Sequence, residues 1–372
     1  MSPELRVGVV GAGRWATMAH LPGWRRDPRC RLTMVCDQDR SRAEAAARAF
    51  DVPAAVGDHR QLVTSPEVDV VDIVTDDDSH FAITMAALEA GKHVLSEKPV
   101  AHDFRDTLRA GELARERGLA TRVGFTFRYS PAVRYAKQLI DAGRIGTPYI
   151  FNGYEQNSQW IDPATPFRAP AADGSAEEMR VGSLEGYGAP IIDIAHWWVG
   201  ADLARVVGTM RNFVSHRVAR ATGAMTRINV DDGDIFLGEF RNGALLSIQS
   251  SFVTVGNYPG VEARLYGSEG ALIVRIVEEL GICETLTGAT PDQVEFRPLA
   301  VPREYYPPGG SAGESWPTLF YANLVSGLAD EVLGTPIVGH ADFRAGAWVQ
   351  EVINAVERSV RQQGWVELPL AA

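Results

Sequence analysis

The chain has 372 residues, 45% hydrophobic and 22% charged, the balance of a soluble globular protein long enough for two domains. A net charge of −11 argues against nucleic acid or an anionic membrane as partner, and no apolar run reaches the length of a membrane span. Three cysteines (Cys30, Cys36 and Cys283) without a C-x-x-C pair suggest reduced thiols in a cytoplasm, and a polar start leading straight into a strand predicts no signal peptide.

The first predicted strand covers residues 5–10 and runs into Gly11-Ala12-Gly13-Arg14-Trp15-Ala16, a G-x-G-x-x-A turn. A helix is expected from Arg14 toward Arg26, reaching Pro22-Gly23, followed by a strand over 32–36 that ends on Asp37. This is one βαβ unit with a dinucleotide fingerprint. Gly11 permits the tight turn, Gly13 lets the backbone approach a pyrophosphate, and Ala16 lets helix and strand pack closely. Free N–H groups at the helix start face the phosphate charge. Asp37 stands where a carboxylate accepts ribose hydroxyls and repels a 2′-phosphate, favouring NAD over NADP, although Arg40 lies near enough to leave NADP tolerance open. The bland alternative is a glycine-rich turn in another doubly wound sheet.

The alternation continues with helices over 43–50, 79–90 and 104–117 and strands over 68–75, 93–96 and 121–125. Gly91 and Gly118 close two of these helices. Apolar strands interleaved with helices predict an α/β fold whose doubly wound parallel sheet is covered on both faces. The first domain, binding NAD, is expected to span 1–125. The second, 126–372, is expected to bind substrate and mediate oligomerisation.

Beyond 125 the pattern changes. A helix over 131–142 and a strand over 148–154 precede an irregular, proline-rich stretch at 155–182, of the kind that usually carries function. Longer β-runs follow at 206–214, 235–240, 244–255, 261–266 and 271–276, with hairpin turns at Asn242-Gly243 and 267–270. They predict a large, mainly antiparallel sheet with one face on helices and the other open to a partner subunit. Two helices, 318–333 and 342–362, finish the chain. Tyr154, Glu155, Gln156, Asn157, Gln159 and Trp160, with Arg168 and Arg180, place amides and an aromatic platform where a polyhydroxylated, even anionic, ligand would find partners. The alternative is a surface loop packed on its own side chains. Asp231-Asp232-Gly233-Asp234 is expected to be a solvated turn, and no His or Cys cluster supports a metal site.

At Glu97-Lys98-Pro99 a second motif appears, and with the glycine turn it makes the chain resemble the Gfo/Idh/MocA family of sugar and cyclitol oxidoreductases. Ile73-Val74-Thr75 with His80, Gly91-Lys92-His93-Val94, Gly124-Phe125, Arg128-Tyr129-Ser130-Pro131 and Trp365-Val366-Glu367-Leu368 extend the resemblance over essentially the whole chain. It implies an NAD-dependent oxidoreductase acting on a secondary hydroxyl of a sugar, cyclitol or glycoside, and a homo-oligomer, either dimer or tetramer. It further implies cofactor contacts from Thr75, Asp77, His80, Glu97 and Lys98, a cis bond before Pro99, and substrate contacts from Lys98, Arg128 and Tyr187. Lys98 follows a strand at the carboxyl edge of the sheet, where a lysine beside the nicotinamide can shuttle the proton of the substrate hydroxyl.

The family's other catalytic pair is an Asp and a His four residues apart, and here the chain departs. Aligned on Trp197-Trp198-Val199-Gly200, the His position holds Pro190 and the Asp position holds Gly186. Glu185 and Tyr187 flank the vacated position, Asp193 matches a second carboxylate of the pattern, and Tyr129 and Lys98 offer a phenol and an ammonium. These are the candidate acid/base groups. Tyr187 could instead be an aromatic lid, Glu185 a solvated carboxylate, and His196 a structural histidine in the core. The rearrangement leaves two further readings. One is an NAD-dependent glycosidase or lyase working through a transient keto-sugar, with a sulfonated or carboxylated sugar as a possible substrate. The other is a non-catalytic NAD-binding sensor or subunit.

Overall fold

Strands and helices alternate from the start of the computed structural model, which describes residues 4–167, 179–220, 222–256, 260–277, 283–335 and 339–371. β1 (Leu5–Val10) leads through a π-turn (Ala16–His20) into α1 (Leu21–Arg26), then β2 (Cys30–Cys36), α2 (Arg40–Phe50), β3 (Ala54–Val56) and α3 (His59–Val63). β4 (Val70–Ile73), α4 (Asp77–Glu89), β5 (His93–Ser96), α5 (Phe104–Glu116) and β6 (Thr121–Val123) complete a parallel six-stranded sheet in the order β3-β2-β1-β4-β5-β6. Val7, Val9, Val70, Val71, Ile73, Val94 and Leu95 are fully buried on it, each contributing roughly 1.5–3 kcal/mol of transfer free energy. The strand order reverses between β1 and β4, which puts the ligand crevice of such a sheet at their carboxyl ends.

The helix after the glycine turn does not stop at Pro22-Gly23 as expected but continues to Arg26. The π-turn breaks the ordinary hydrogen-bond ladder just before it, with the Leu21 N–H donating to the Ala16 carbonyl. Pro22 therefore falls in a new first turn, where its missing N–H costs nothing. Gly91 and Gly118 have positive φ, +75° and +64°, and close their helices as read. The three-residue edge strand β3 was not assigned from the sequence.

The remaining elements are α6 (Pro131–Asp141), β7 (Pro148–Gln156), a π-turn (Leu184–Gly188) continuing into α7 (Ala189–Val199), β8 (Leu203–Arg211), β9 (His216–Val218) and β10 (Met225–Arg227). β11 (Gly233–Phe240), β12 (Leu245–Ser251), β13 (Val261–Gly267), β14 (Ala271–Ile276), β15 (Thr285–Thr290), β16 (Gln293–Pro298), α8 (Trp316–Val332), α9 (Phe343–Gln362) and β17 (Val366–Glu367) follow. A nine-stranded sheet runs β16-β15-β14-β13-β7-β12-β11-β8-β17, antiparallel except for the β7–β12 pair. On β7, Phe151, Gly153 and Glu155 face α7, and a Cβ on Gly153 would lie 2.5 Å from Ile191. Ile150, Asn152, Tyr154 and Gln156 take the opposite face.

The chain divides into two compact units, Met1–Pro131 with Tyr306–Gln350, and Ala132–Tyr305 with Glu351–Ala372. The sequence reading gave everything after 125 to the second domain, whereas α8 belongs to the first unit. The reason is local: Gly23 brings α1 against Tyr321, with a would-be Cβ 3.1 Å from the Tyr321 Cβ, and Arg29 pairs with Asp330.

Candidate active site

In the first unit the fingerprint has the geometry its residues require. Gly11 has φ +104°, and a Cβ there would lie 2.4 Å from the Val74 carbonyl oxygen. Gly13 faces open space, with no atom within 4 Å of a would-be Cβ, so a diphosphate can approach its backbone. Asp37 ends β2 beside the turn, accepting the Ala12 N–H at 2.9 Å and the Asp39 N–H at 2.8 Å. Arg14 is exposed at the start of the helix. Asp77 opens α4. These residues fit a dinucleotide. His80 is buried, its Nδ1 2.7 Å from the Pro99 carbonyl and its Nε2 3.2 Å from that of Thr75, so it braces the ends of β4 and β5.

Lys98 follows β5 at the same edge, and the Lys98–Pro99 bond is cis, as the resemblance implied. Glu97 is buried beneath it. Its Oε1 accepts from Trp15 Nε1 at 2.9 Å, from the Tyr321 hydroxyl, and from His20 Nε2 at 3.2 Å; its Oε2 accepts the Lys98 N–H at 3.2 Å. Burial works to raise the Glu97 carboxyl, but His20, Lys98 and Trp15 overcome it and hold it below its ordinary value. Arg128 is buried with Nη1 donating to the Gly339 carbonyl at 3.0 Å, and the buried Tyr129 hydroxyl accepts the Ala341 N–H at 3.5 Å.

In the second unit the structure gathers Glu185 and Tyr187 on the π-turn that leads into α7. The Tyr187 hydroxyl donates to Gln159 Oε1 at 2.7 Å, and its ring meets Phe252 edge-on at 5.9 Å. Trp160 packs edge-on against Phe167, 5.3 Å away, in the same apolar cluster. Tyr187, Gln159 and Trp160 thus come together at this cluster. Tyr154 and Gln156 do not: β7 extends through both and turns them to the face away from α7, Tyr154 opposite Glu262 and Gln156 on Gln249. Arg168 lies outside the described residues.

Two expectations fail here. Asp231, Asp232 and Asp234 are not a solvated turn; all are buried, because each finds polar partners far along the chain. Asp231 accepts the N–H of Gly182 and, at 3.2 Å, of Leu184, capping the helical segment that carries Glu185. Burial, with Asp232 and Glu185 nearby, pushes its carboxyl up to about 7 against those two bonds. Asp234, beside Ser250, is raised well above the carboxylate range by burial and then by Asp231. Glu185 is likewise buried rather than solvated. The second failure is His196, which is not in the core but partly exposed, its Nε2 3.0 Å from Asp202. Asp193 is buried on α7. At Gly186 a Cβ would meet nothing within 4 Å, so its backbone borders open space.

Two family models match the chain: an oxidoreductase family with NAD-binding Rossmann fold over residues 5–125, and the GFO/IDH/MocA C-terminal domain over 133–273. The chain belongs to the Gfo/Idh/MocA family. It is an NAD-binding oxidoreductase with a Rossmann domain and a large mixed-sheet domain. A levoglucosan dehydrogenase of Pseudarthrobacter phenanthrenivorans is 24% identical over 90% of this chain and 89% of its own. A scyllo-inositol 2-dehydrogenase (NAD(+)) of Bacillus subtilis is 27% identical over 74% of this chain and 75% of its own. A solved structure of levoglucosan dehydrogenase in complex with NADH superposes with a TM-score of 0.84 at 23% identity, covering 99% of this chain and 100% of that one. Within the Gfo/Idh/MocA frame, the sequence reading missed His20, Asp72 and Tyr321 around Glu97, and Ser183 and Ser250 around Asp234. Only the D-D-G-D run was a visible signal for any of these.

Proposed function

We propose that the protein oxidises a secondary hydroxyl of a sugar, cyclitol or glycoside with NAD, and that Lys98 carries the hydroxyl's proton. The observation that carries this reading is Lys98 itself, fixed at the end of β5 on the sheet edge that holds the glycine turn. Bound NAD supplies the hydride acceptor. Gly11 and Gly13 admit its diphosphate, Asp37 selects its ribose, and Lys98, as the free amine, hydrogen-bonds the alcohol and accepts its proton to become the ammonium while hydride leaves the carbon. The related sugar and cyclitol dehydrogenases support this substrate class. Tyr187 and Glu185 are assigned as accessory acid/base groups, and Trp160 as a ring for an apolar sugar face.

A second reading is favoured by one observation: buried Glu185 lies near Asp231, which is raised to about 7. Such a set suits a redox-neutral glycosidase, in which transient oxidation acidifies a neighbouring C–H, the aglycone is eliminated, water adds and the hydride returns. Incubation with NAD and a panel of glycosides, following NADH and released aglycone together, separates the two. Stoichiometric NADH supports the dehydrogenase, and aglycone release without net NADH supports the glycosidase. Silence on both across the panel would leave a binding sensor. We also infer a homo-oligomer held through the open sheet face, where Ile150, Ile235, Leu237 and Leu245 are exposed, and a reducing cytoplasm that suits three free thiols. Among the described residues no helix is long and apolar enough to cross a membrane.

A further inference from the structure

A row of charges crosses the interior of the first unit. Asp72, within β4, is fully buried and accepts from His20 Nδ1 at 2.8 Å and from Trp24 Nε1 at 2.7 Å. His20 is fully buried on the π-turn, and its other nitrogen, Nε2, reaches Glu97 Oε1 at 3.2 Å. With a carboxylate on each side, both ring nitrogens must donate, so the ring satisfies both partners only as an imidazolium. The carboxylates outweigh burial and raise His20 to about 9. Tyr321 of α8 stacks on the imidazole, ring centroids 4.1 Å apart, and donates its hydroxyl to the same Glu97 oxygen. Trp15, inside the glycine turn, donates to it as well. Gly124 leaves room for this carboxylate, since a Cβ there would lie 2.6 Å from Glu97 Oε1.

Apolar residues of similar shape usually fill such a volume at no loss of stability, so a buried charge row is a poor way to hold a core together. Its geometry has a direction, however. Three donors, Trp15 Nε1, His20 Nε2 and the Tyr321 hydroxyl, converge on Glu97 Oε1, and Glu97 Oε2 holds the Lys98 N–H. We propose that Asp72, His20 and Tyr321 are positioning residues for Lys98: they fix the Glu97 carboxylate, and Glu97 fixes the backbone from which the Lys98 amine reaches the substrate hydroxyl. This rests on the reading of Lys98 given above. None of the three touches substrate or cofactor in this role. Trp15 extends the row to the glycine turn, so the two cofactor-facing segments share one anchor.

The test uses two substitutions at one position. An Asn amide lies near the place of Nδ1 and a Gln amide near Nε2, so His20→Asn keeps the donor to Asp72 and loses the one to Glu97. His20→Gln does the reverse. Lys98 is followed without catalysis, by its rate of acetylation with acetic anhydride as a function of pH, read by peptide mass spectrometry. NADH affinity is read by tryptophan fluorescence. His20→Asn should shift the Lys98 profile and, with any alcohol the wild type oxidises, lower kcat about tenfold while NADH affinity stays within about threefold. His20→Gln should restore most of that loss, although both variants melt lower than wild type. Tyr321→Phe, which removes one donor and keeps the ring, should move Lys98 in the same sense and serves if His20→Asn does not fold. Both His20 variants changing Lys98 alike, in step with melting temperature, would overturn the proposal, as would an unmoved Lys98 profile in His20→Asn and Tyr321→Phe. A wild type that oxidises no alcohol would sink the proposed function, while the acetylation arm still decides this one.

Discussion

Raising the pH should destabilise the first unit over a window set by one side chain. His20 is raised from 6.5 to about 9 in the folded protein by Asp72 and Glu97 working against complete burial. The folded state therefore binds a proton more tightly than the unfolded chain. The resulting stability is fully present below pH 6.5 and is lost as pH climbs to about 9. At 1.36 kcal/mol per pH unit the loss is about 3 kcal/mol, which for a unit of this size lowers the melting temperature by about 6–12 °C. Circular dichroism melts across this window, wild type against His20→Gln, isolate the term. The variant starts lower, since Asp72 and Glu97 lose their cation, but should lack the slope. Parallel curves for the two proteins would refute a buried imidazolium.

Three further outcomes follow from the same geometry. Asp37 ends β2 beside the Ala12 N–H, so fluorescence titration should show NAD binding more tightly than NADP; equal or tighter NADP binding would overturn the assignment. Lys98→Met should cost about a hundredfold or more in kcat while NAD affinity stays within a few-fold, because a proton-transfer group is removed and the diphosphate turn is untouched. Retention of most of the wild-type rate would remove Lys98 from the mechanism. His196→Gln should change melting and turnover little, since a partly exposed pair with Asp202 contributes about 0–1 kcal/mol; an inactive but stable variant would reinstate His196 as a working group.

The first unit was legible because its signals are local. β5 has the predicted bounds, the glycine turn sits between strand and helix, and glycines at positive φ close the helices. What escaped is what distant partners decide. β3 is three residues long, too short for a period to show. α8 carries an apolar pattern that says helix but not which unit it joins; Gly23 and Tyr321 settle that. His20 and Asp72 are 52 positions apart, and neither residue alone distinguishes a buried ion pair from a surface one. Asp231-Asp232-Gly233-Asp234 read as solvated because three aspartates around a glycine before a strand usually are. It is buried because Asp231 finds Gly182 and Leu184, Asp232 finds Phe213, Val214 and Arg217, and Asp234 finds Ser250.

The departures on the helix entering α7 take a different meaning from this burial. With Gly186 and Pro190 at the family's Asp and His positions, the sequence alone suggests a missing proton relay. The helix start is nonetheless built around carboxylates. Asp231 reaches it from the lead-in to β11 and binds its first N–H groups, which is where a negative charge is best stabilised by a helix. Yet burial and the neighbouring Asp232 and Glu185 keep its proton on to about 7. The direction of that shift is the one burial gives a general acid. Gly182 makes the approach possible: a Cβ on it would lie 2.2 Å from Val230 and 2.8 Å from the Asp231 carbonyl oxygen. Glu185 then stands one turn into the helix, Tyr187 beyond it on Gln159, and the space at Gly186 stays open. This burial supports the proposal that the acid/base groups of this unit lie at the junction of the π-turn and β11 rather than at Gly186 and Pro190.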